Sequence, residues 1–128
     1  MKLLVREQGS EVAKSLFAAA TMLFTASIGY VEARSALGRE ARAGHLKGTR
    51  YDRALTELER VWLAASVVHL DRDLVARAGD VSELQGLTAG DAIHLTSALV
   101  LGDPELTFAT WDEALGRAAR EVGLAVAP

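Results

Sequence analysis

Short uncharged segments alternate with helical segments along the chain, and this alternation constrains the fold more than any other feature. The strand-like segments are "TMLFTA" (21–26), "SVVHL" (66–70), "LTFAT" (106–110) and "LAVA" (124–127). They are rich in residues that favour strands, and they are too short for helices. Strands that alternate with helices favour a parallel sheet covered by helices on both faces and joined by right-handed crossovers. The sequence therefore predicts an α/β fold.

The segments between the strands have the spacing of helices. Ser10 and Ser27 stand where they would cap the first two helices, and Asp71 begins a later one. Gly44 and Gly123 stand where helices are expected to end. The predicted helices cover residues 11–19, 28–44, 49–65, 71–78, 87–101 and 111–123.

The composition is that of one compact domain. The sequence has 128 residues, of which 50% are hydrophobic and 24% charged, and this is enough to bury a single core. It contains no cysteine, which excludes disulfides, thiolate zinc sites and a cysteine nucleophile within it and suits a reducing cytoplasm. The three histidines are too scattered to pair as ligands on one helix. The net charge of −3 argues against a protein that coats nucleic acid in general.

No segment has the character of a membrane span or a secretory signal. The longest uncharged run, residues 15–31, contains several hydroxyl side chains and a glycine and is too polar to span a bilayer. The apolar stretch after Met1 ends too soon, at Arg6, to be a signal peptide. We therefore expect a soluble cytoplasmic protein with no membrane association.

Three acids lie where an α/β sheet places its functional crevice, beyond the carboxyl ends of strands and near helix N-termini. Glu32 follows the strand-like segment 21–26, Asp112 follows 106–110 within two residues, and Asp91 opens an apolar helix. We expect all three to lie at one edge of the sheet. At about 100° per residue, Glu32 shares its helix face with small and apolar neighbours, namely Ile28, Gly29, Ser35 and Ala36.

Each acid also has a purely structural interpretation. Thr88 and Asp91 fit a capping pattern, and Thr110 begins a similar pattern around Asp112. Glu32 fits an exposed acid on a helix. An acid at a helix N-terminus also suits the helix dipole. Taken one at a time, the three acids do not require a ligand.

Taken together, the three acids predict a bound cation. Burying an unpaired carboxylate is costly, so acids that converge on apolar faces normally hold a cation between them. Oxygen ligands without cysteine or histidine suit Mg²⁺ or Mn²⁺. A divalent-metal site formed by Glu32, Asp91 and Asp112 is therefore expected.

Four segments, in order, resemble motifs of the PIN-domain ribonucleases, in particular the VapC-like toxins of bacterial toxin–antitoxin pairs. "REQGSEVA" (6–13) is similar to the family's first helix, and "YVEARSAL" (30–37) to the motif that carries its second acid. "GDAIHLTSAL" (90–99), the most specific of the four, resembles the third motif, and "FATWDEALGRAA" (108–119) the fourth. The resemblance implies a single three-layer α/β/α PIN-like domain over residues 1–128, with a parallel sheet.

The resemblance also implies a metal-dependent endoribonuclease. Glu32, Asp91 and Asp112 would hold one or two Mg²⁺ or Mn²⁺ ions or position water, and Thr110 would support them with its hydroxyl. Such a metal lowers the pKa of bound water and stabilises charge on the scissile phosphate, so no serine, cysteine or histidine nucleophile is needed. The implied partners are an RNA substrate, a second copy of the chain, and a cognate antitoxin that pairs an arginine with the three acids.

The sequence departs from the family pattern at its first motif. The family opens with a strand that carries its first acid, directly before the segment matched here to the first helix, whereas this sequence begins inside that pattern. Neither Glu7 nor Glu11 replaces the acid, because both follow the position of the strand. We therefore expect the central strand and one acid to be missing from an N-terminally truncated domain, and the gene to continue in frame upstream of Met1.

Two further features each have more than one interpretation. Arg34, Arg39, Arg42 and Lys47 form a locally basic stretch, which is either a solvated helix face or a track for RNA phosphates. His94, in the third motif, is interpreted as a packing residue rather than a general base. Two function classes therefore stay open: an RNA-cleaving enzyme silenced by an antitoxin, and a catalytically impaired PIN-like module that binds RNA or a protein partner.

Overall fold

The computed structural model describes residues 1–5 and 7–128 of the chain. Arg6, the first residue of the segment matched to the family's first helix, lies outside the described residues. The chain forms two compact units, Met1–Val67 and Val68–Pro128. Each unit combines helices with short strands, which confirms the predicted α/β class.

The first unit begins with a turn, in which the Leu4 and Val5 amides donate to the Met1 carbonyl. Two short strands then pair, and the Ser66 amide of one donates to the Leu23 carbonyl next to the other at 2.7 Å. The elements in chain order are α1 (Ser10–Ala19), β1 (Phe24–Ala26), α2 (Ile28–Arg42), α3 (Thr49–Ala64) and β2 (Ser66–Val68), whose last residue belongs to the second unit.

The core of the first unit is built mainly by α2 and α3. Leu37 of α2 is completely buried, and it packs with Ala54 and Leu58 of α3 and with Leu46 from the connecting loop. Leu55 lies partly buried against this cluster. Helix α3 therefore buries one apolar face, as an amphipathic helix does.

The second unit contains one parallel strand pair among its described residues. In this pair Phe108 lies opposite Val126. The elements in chain order are α4 (Arg72–Gln85), α5 (Ala89–Leu101), β3 (Thr107–Ala109), α6 (Glu113–Glu121) and β4 (Ala125–Ala127).

Helix α5 is the most buried element of the second unit. Ala92 and the four consecutive residues 95–98 are all buried. Leu95 packs with Leu115, Ala118 and Ala119 of α6, and partly buried apolar side chains from β3, β4 and the end of α4 surround this cluster. Burial around the helix rather than along one stripe agrees with its apolar composition.

The strands are shorter than the sequence patterns. Each of the four covers three residues, whereas the predicted segments have four to six. Each described strand pairs with one neighbour. Because strand structure requires a ladder of hydrogen bonds, it ends where its partner ends, although the β-propensity of the sequence continues.

The helix start predicted at Asp71 and the cap predicted at Thr88 are confirmed, whereas the caps predicted at Ser10 and Ser27 are wrong. Asp71 and Thr88 accept the amide protons of Leu74 and Asp91 and so cap α4 and α5. Ser10 is instead a buried first residue of α1, and its hydroxyl bonds the preceding turn. Ser27 stands at the N-cap of α2 in a helical conformation, and its side chain makes no capping bond. A capping hydroxyl requires the extended conformation that Ser27 lacks.

The helices also bear on the question of membrane association. Among residues 1–5 and 7–128, none of the helices combines the length and the apolar character that crossing a bilayer requires.

Replacing Leu95 with alanine is expected to destabilise the protein by about 2–5 kcal/mol, because the change leaves a cavity in a closed core. Leu84→Ala is the matched control, since Leu84 lies in the same unit and is 82% exposed. It is expected to change the free energy of unfolding by less than about 0.5 kcal/mol. Urea unfolding monitored by circular dichroism measures both. Equal losses in the two variants would contradict this account of the core.

Candidate functional site

Asp91 lies in the first turn of α5 and is partly buried. The Thr88 hydroxyl donates to Asp91 Oδ2 at 2.6 Å and accepts the Asp91 amide proton at 3.3 Å. The predicted capping pattern is therefore confirmed. The same contact holds the carboxylate in a defined position.

The start of α5 is held by the end of α4. Only Gly86, Leu87 and Thr88 separate the two helices. Gly86 has a φ of 65°, a left-handed conformation that favours glycine because it has no Cβ. The Leu87 amide donates to the Ser82 carbonyl at 3.2 Å, and the Ser82 hydroxyl donates to the Leu87 carbonyl at 2.8 Å. This double connection places Thr88, and through it Asp91.

Asp112 is the N-cap of α6 and is exposed. Its Oδ1 accepts the Leu115 amide proton at 2.8 Å, and its own amide donates to the Thr110 hydroxyl at 3.1 Å. The capping pattern predicted to begin at Thr110 is therefore wrong, because the aspartate itself caps the helix. Thr110 contacts the backbone of Asp112, and its methyl lies against α6 near Gly116.

Glu32 lies in the second turn of α2, in the first unit, and is exposed. Its exposure agrees with the structural interpretation, an exposed acid on a helix. An exposed carboxylate is hydrated, so it does not need a cation to offset desolvation. Asp112 is also exposed. Among the three acids, the cost of burying a carboxylate therefore argues for a cation only at Asp91.

The three acids are thus distributed over both units. Asp91 and Asp112 begin two helices of the second unit, and Glu32 belongs to the first. Within the part of the chain that the structure describes, no group of three or more Asp, Glu or His side chains is placed to hold a metal ion. The convergence of the three acids therefore stays a prediction.

The chemistry of Asp91 and Asp112 fits a hard divalent cation. Each offers carboxylate oxygens, which Mg²⁺ and Mn²⁺ prefer. The bonds to Thr88 and Leu115 use one oxygen of each side chain, and an ionised carboxylate can accept several partners. A cation could therefore share these carboxylates without removing the bonds that hold them.

Arg34 takes part in a network that links α2 to α3. Tyr30 donates its hydroxyl proton to Glu59 at 2.5 Å, and Arg34 donates to the Tyr30 oxygen at 3.2 Å. Arg34 also lies 3.9 Å from Glu59, and the Tyr30 ring lies 5.2 Å from that of Trp62. The hydrogen bond with Tyr30 raises the pKa of Arg34. This network gives Arg34 a structural role within the first unit.

The other residues of the basic stretch are exposed. Arg39 and Arg42 lie in the last turn of α2, where positive charge suits the helix dipole, and Lys47 follows in the loop before α3. Arg39 donates to the Ser35 hydroxyl at 3.0 Å. This arrangement is compatible with both interpretations of the stretch.

The sequence indicated a capping role for Thr88 but not the bond from its hydroxyl to the Asp91 carboxylate. The signal was a threonine three residues before the acid, which also describes an ordinary cap. His94 lies partly buried in the following turn of α5, and its packing role stays a prediction.

Comparison with known proteins places these residues in a wider context. Residues 1–121 match the PIN domain family. The chain is 35% identical to Ribonuclease VapC45 and to Ribonuclease VapC49, from two strains of Mycobacterium tuberculosis, over 128 residues, which are 100% of this chain and 89% of each relative. The matched region spans both units and contains Glu32, Asp91 and Asp112.

Proposed function

This chain belongs to the PIN-domain family, and we propose that it is a VapC-type toxin that cleaves RNA with the help of Mg²⁺ or Mn²⁺. The observation that carries the proposal is the 35% identity to two proteins named as VapC ribonucleases, which extends over the whole chain. Because the family match spans both units, we propose that they belong to one PIN-like domain.

In this proposal Glu32, Asp91 and Asp112 bind the cation. When bound, Mg²⁺ or Mn²⁺ supplies an activated water and offsets charge on the scissile phosphate. Asp91 and Asp112 are held for this role by bonds at the first turns of α5 and α6. Thr110 supports Asp112 because its hydroxyl accepts the proton of the Asp112 backbone amide. No serine or cysteine nucleophile is required.

Each of Asp91→Asn, Asp112→Asn and Glu32→Gln is expected to reduce RNA cleavage by more than about 100-fold, which exceeds the 10–100-fold loss typical of residues that only support ligands. Asparagine keeps the oxygen that caps α6, so the Asp112 variant is expected to fold. EDTA is expected to abolish cleavage, and Mn²⁺ or Mg²⁺ to restore it without zinc. A fluorescent RNA cleavage assay measures these effects.

Asp80→Asn is the matched control, because Asp80 is an exposed acid on α4 outside the proposed site. It is expected to cleave RNA like the unchanged chain. Full activity in the Asp91 or Asp112 variant, or equal losses in the control, would overturn the site assignment.

We propose that Arg39, Arg42 and Lys47 contact RNA phosphates and that Arg34 contributes less, because it is engaged with Tyr30 and Glu59. The double change Arg39→Ala and Arg42→Ala is expected to weaken RNA binding. Log affinity falls as log salt rises, and the double change is also expected to make this fall shallower, by about one unit of slope for each phosphate that is no longer neutralised.

Fluorescence anisotropy in EDTA measures this binding without cleavage. Arg72→Ala with Arg77→Ala, two exposed arginines on α4, is the matched control. A similar change of slope in both double variants would show that general charge, rather than the end of α2, attracts the RNA.

The second candidate function is a PIN-like module that binds RNA or a protein without cleaving it. It is favoured by one observation, since no three-acid metal group occurs among the described residues. RNA binding in the anisotropy assay, combined with no cleavage in Mn²⁺ at any concentration, would support this alternative over the enzyme.

The proposed partners are a cognate antitoxin and a second copy of the chain, and the proposed location is the cytoplasm. The antitoxin is expected to present an arginine to the acids, since a guanidinium pairs well with carboxylates. Co-expression with the product of the adjacent gene is expected to yield a stable complex that does not cleave RNA.

Light scattering gives the mass of the complex and of the chain alone, for which we expect a dimer. If the product of the adjacent gene does not bind, or binds without suppressing RNA cleavage, the proposed inhibition is contradicted. A monomeric mass would contradict the dimer.

A further inference from the structure

The hydroxyl of Thr88 makes two bonds to one residue. It donates to Asp91 Oδ2 at 2.6 Å and accepts from the Asp91 amide at 3.3 Å. A hydroxyl has a single proton, and here it is directed to the carboxylate while a lone pair receives the amide. Capping α5 needs only the second bond. The first, shorter bond has the length of a charge-assisted contact and holds the Asp91 carboxylate against the Thr88 hydroxyl.

The other side-chain caps of the second unit are different. Asp71 and Asp112 each accept an amide proton through a carboxylate oxygen. The hydroxyl of Thr110, two residues before Asp112, accepts the backbone amide proton of Asp112. Thr88 therefore differs from Thr110 in that its hydroxyl reaches the carboxylate of a proposed metal ligand.

We propose that Thr88 is a positioning residue that holds the Asp91 carboxylate in the orientation required for cation binding. This inference rests on the proposed function. Without the hydroxyl, the side chain of Asp91 samples other rotamers, and binding a cation must restrict them again. Residues that orient a metal ligand typically contribute 10–100-fold to metal affinity.

Two variants remove the hydroxyl in different ways. Thr88→Val keeps the shape of the side chain, and Thr88→Gly keeps a residue that is accepted at helix N-caps. Both are expected to weaken Mn²⁺ binding, measured by isothermal titration calorimetry, by about tenfold or more. Thr88→Ser retains the hydroxyl and is expected to restore the affinity to within about twofold, because its donor and acceptor groups are the same.

A second measurement needs neither metal nor activity. Three-bond couplings to the Asp91 carboxyl carbon report its χ1 angle in the metal-free protein by NMR. We expect a single rotamer in the unchanged chain and in Thr88→Ser, and averaged couplings in Thr88→Val and Thr88→Gly.

Asp71→Ala separates positioning from helix stability. It removes a side-chain cap from α4 in the same unit, so it is expected to lower the urea midpoint of unfolding as Thr88→Val does. It is expected to leave Mn²⁺ affinity and the Asp91 couplings unchanged. Equal weakening of Mn²⁺ binding in Asp71→Ala and Thr88→Val would mean that Thr88 acts through stability alone.

Asp91→Asn distinguishes failure of this inference from failure of the proposed function. If Asp91→Asn binds Mn²⁺ as tightly as the unchanged chain, the proposed metal site is wrong, and the role of Thr88 is wrong with it. If Asp91→Asn loses binding while Thr88→Val and Thr88→Gly bind Mn²⁺ normally, the proposed site stands and only the role of Thr88 is overturned.

Discussion

The burial of the middle of α5 is the constraint on which the second unit depends. Four consecutive residues, 95–98, are withdrawn from solvent, and Leu95 fills the centre of the core shared with α6. Densely packed interiors do not allow a helix to slide or rotate without opening cavities. The position of α5 is therefore defined by its core, and so is the position of the acid in its first turn.

The carboxylates of Asp91 and Asp112, which we propose as metal ligands, also make hydrogen bonds at the starts of two helices. Asp112 stabilises α6 through the Leu115 amide, and Asp91 accepts a hydrogen bond from the residue that caps α5. The N-terminal end of a helix carries partial positive charge and unpaired amides, which favour ionised carboxylates. Both acids thus lie where the local structure of a helix end suits a carboxylate.

Helix positions were largely predictable from the sequence, whereas strand lengths and burial were not. The periodicity of α3 and the caps at Asp71 and Thr88 are local signals, and the structure follows them. Strand length depends on the partner strand, which lies far away in the sequence. The exposure of Glu32 likewise depends on what packs against α2, and neighbours along the helix do not reveal this. At the candidate site, the motif around Asp91 identified the acid, but a threonine three residues earlier fits both an ordinary cap and a bond to the carboxylate.

The connection between α4 and α5 has a consequence for local unfolding. Helix ends normally fray, because their terminal turns open without disturbing the rest of the helix. Leu87, two residues before α5, is joined to Ser82 in the last turn of α4 by two hydrogen bonds. We therefore expect the last turn of α4 and the start of α5 to open together. Protection of the Asp91 amide against hydrogen exchange is then expected to follow the stability of α4 rather than fraying at the start of α5.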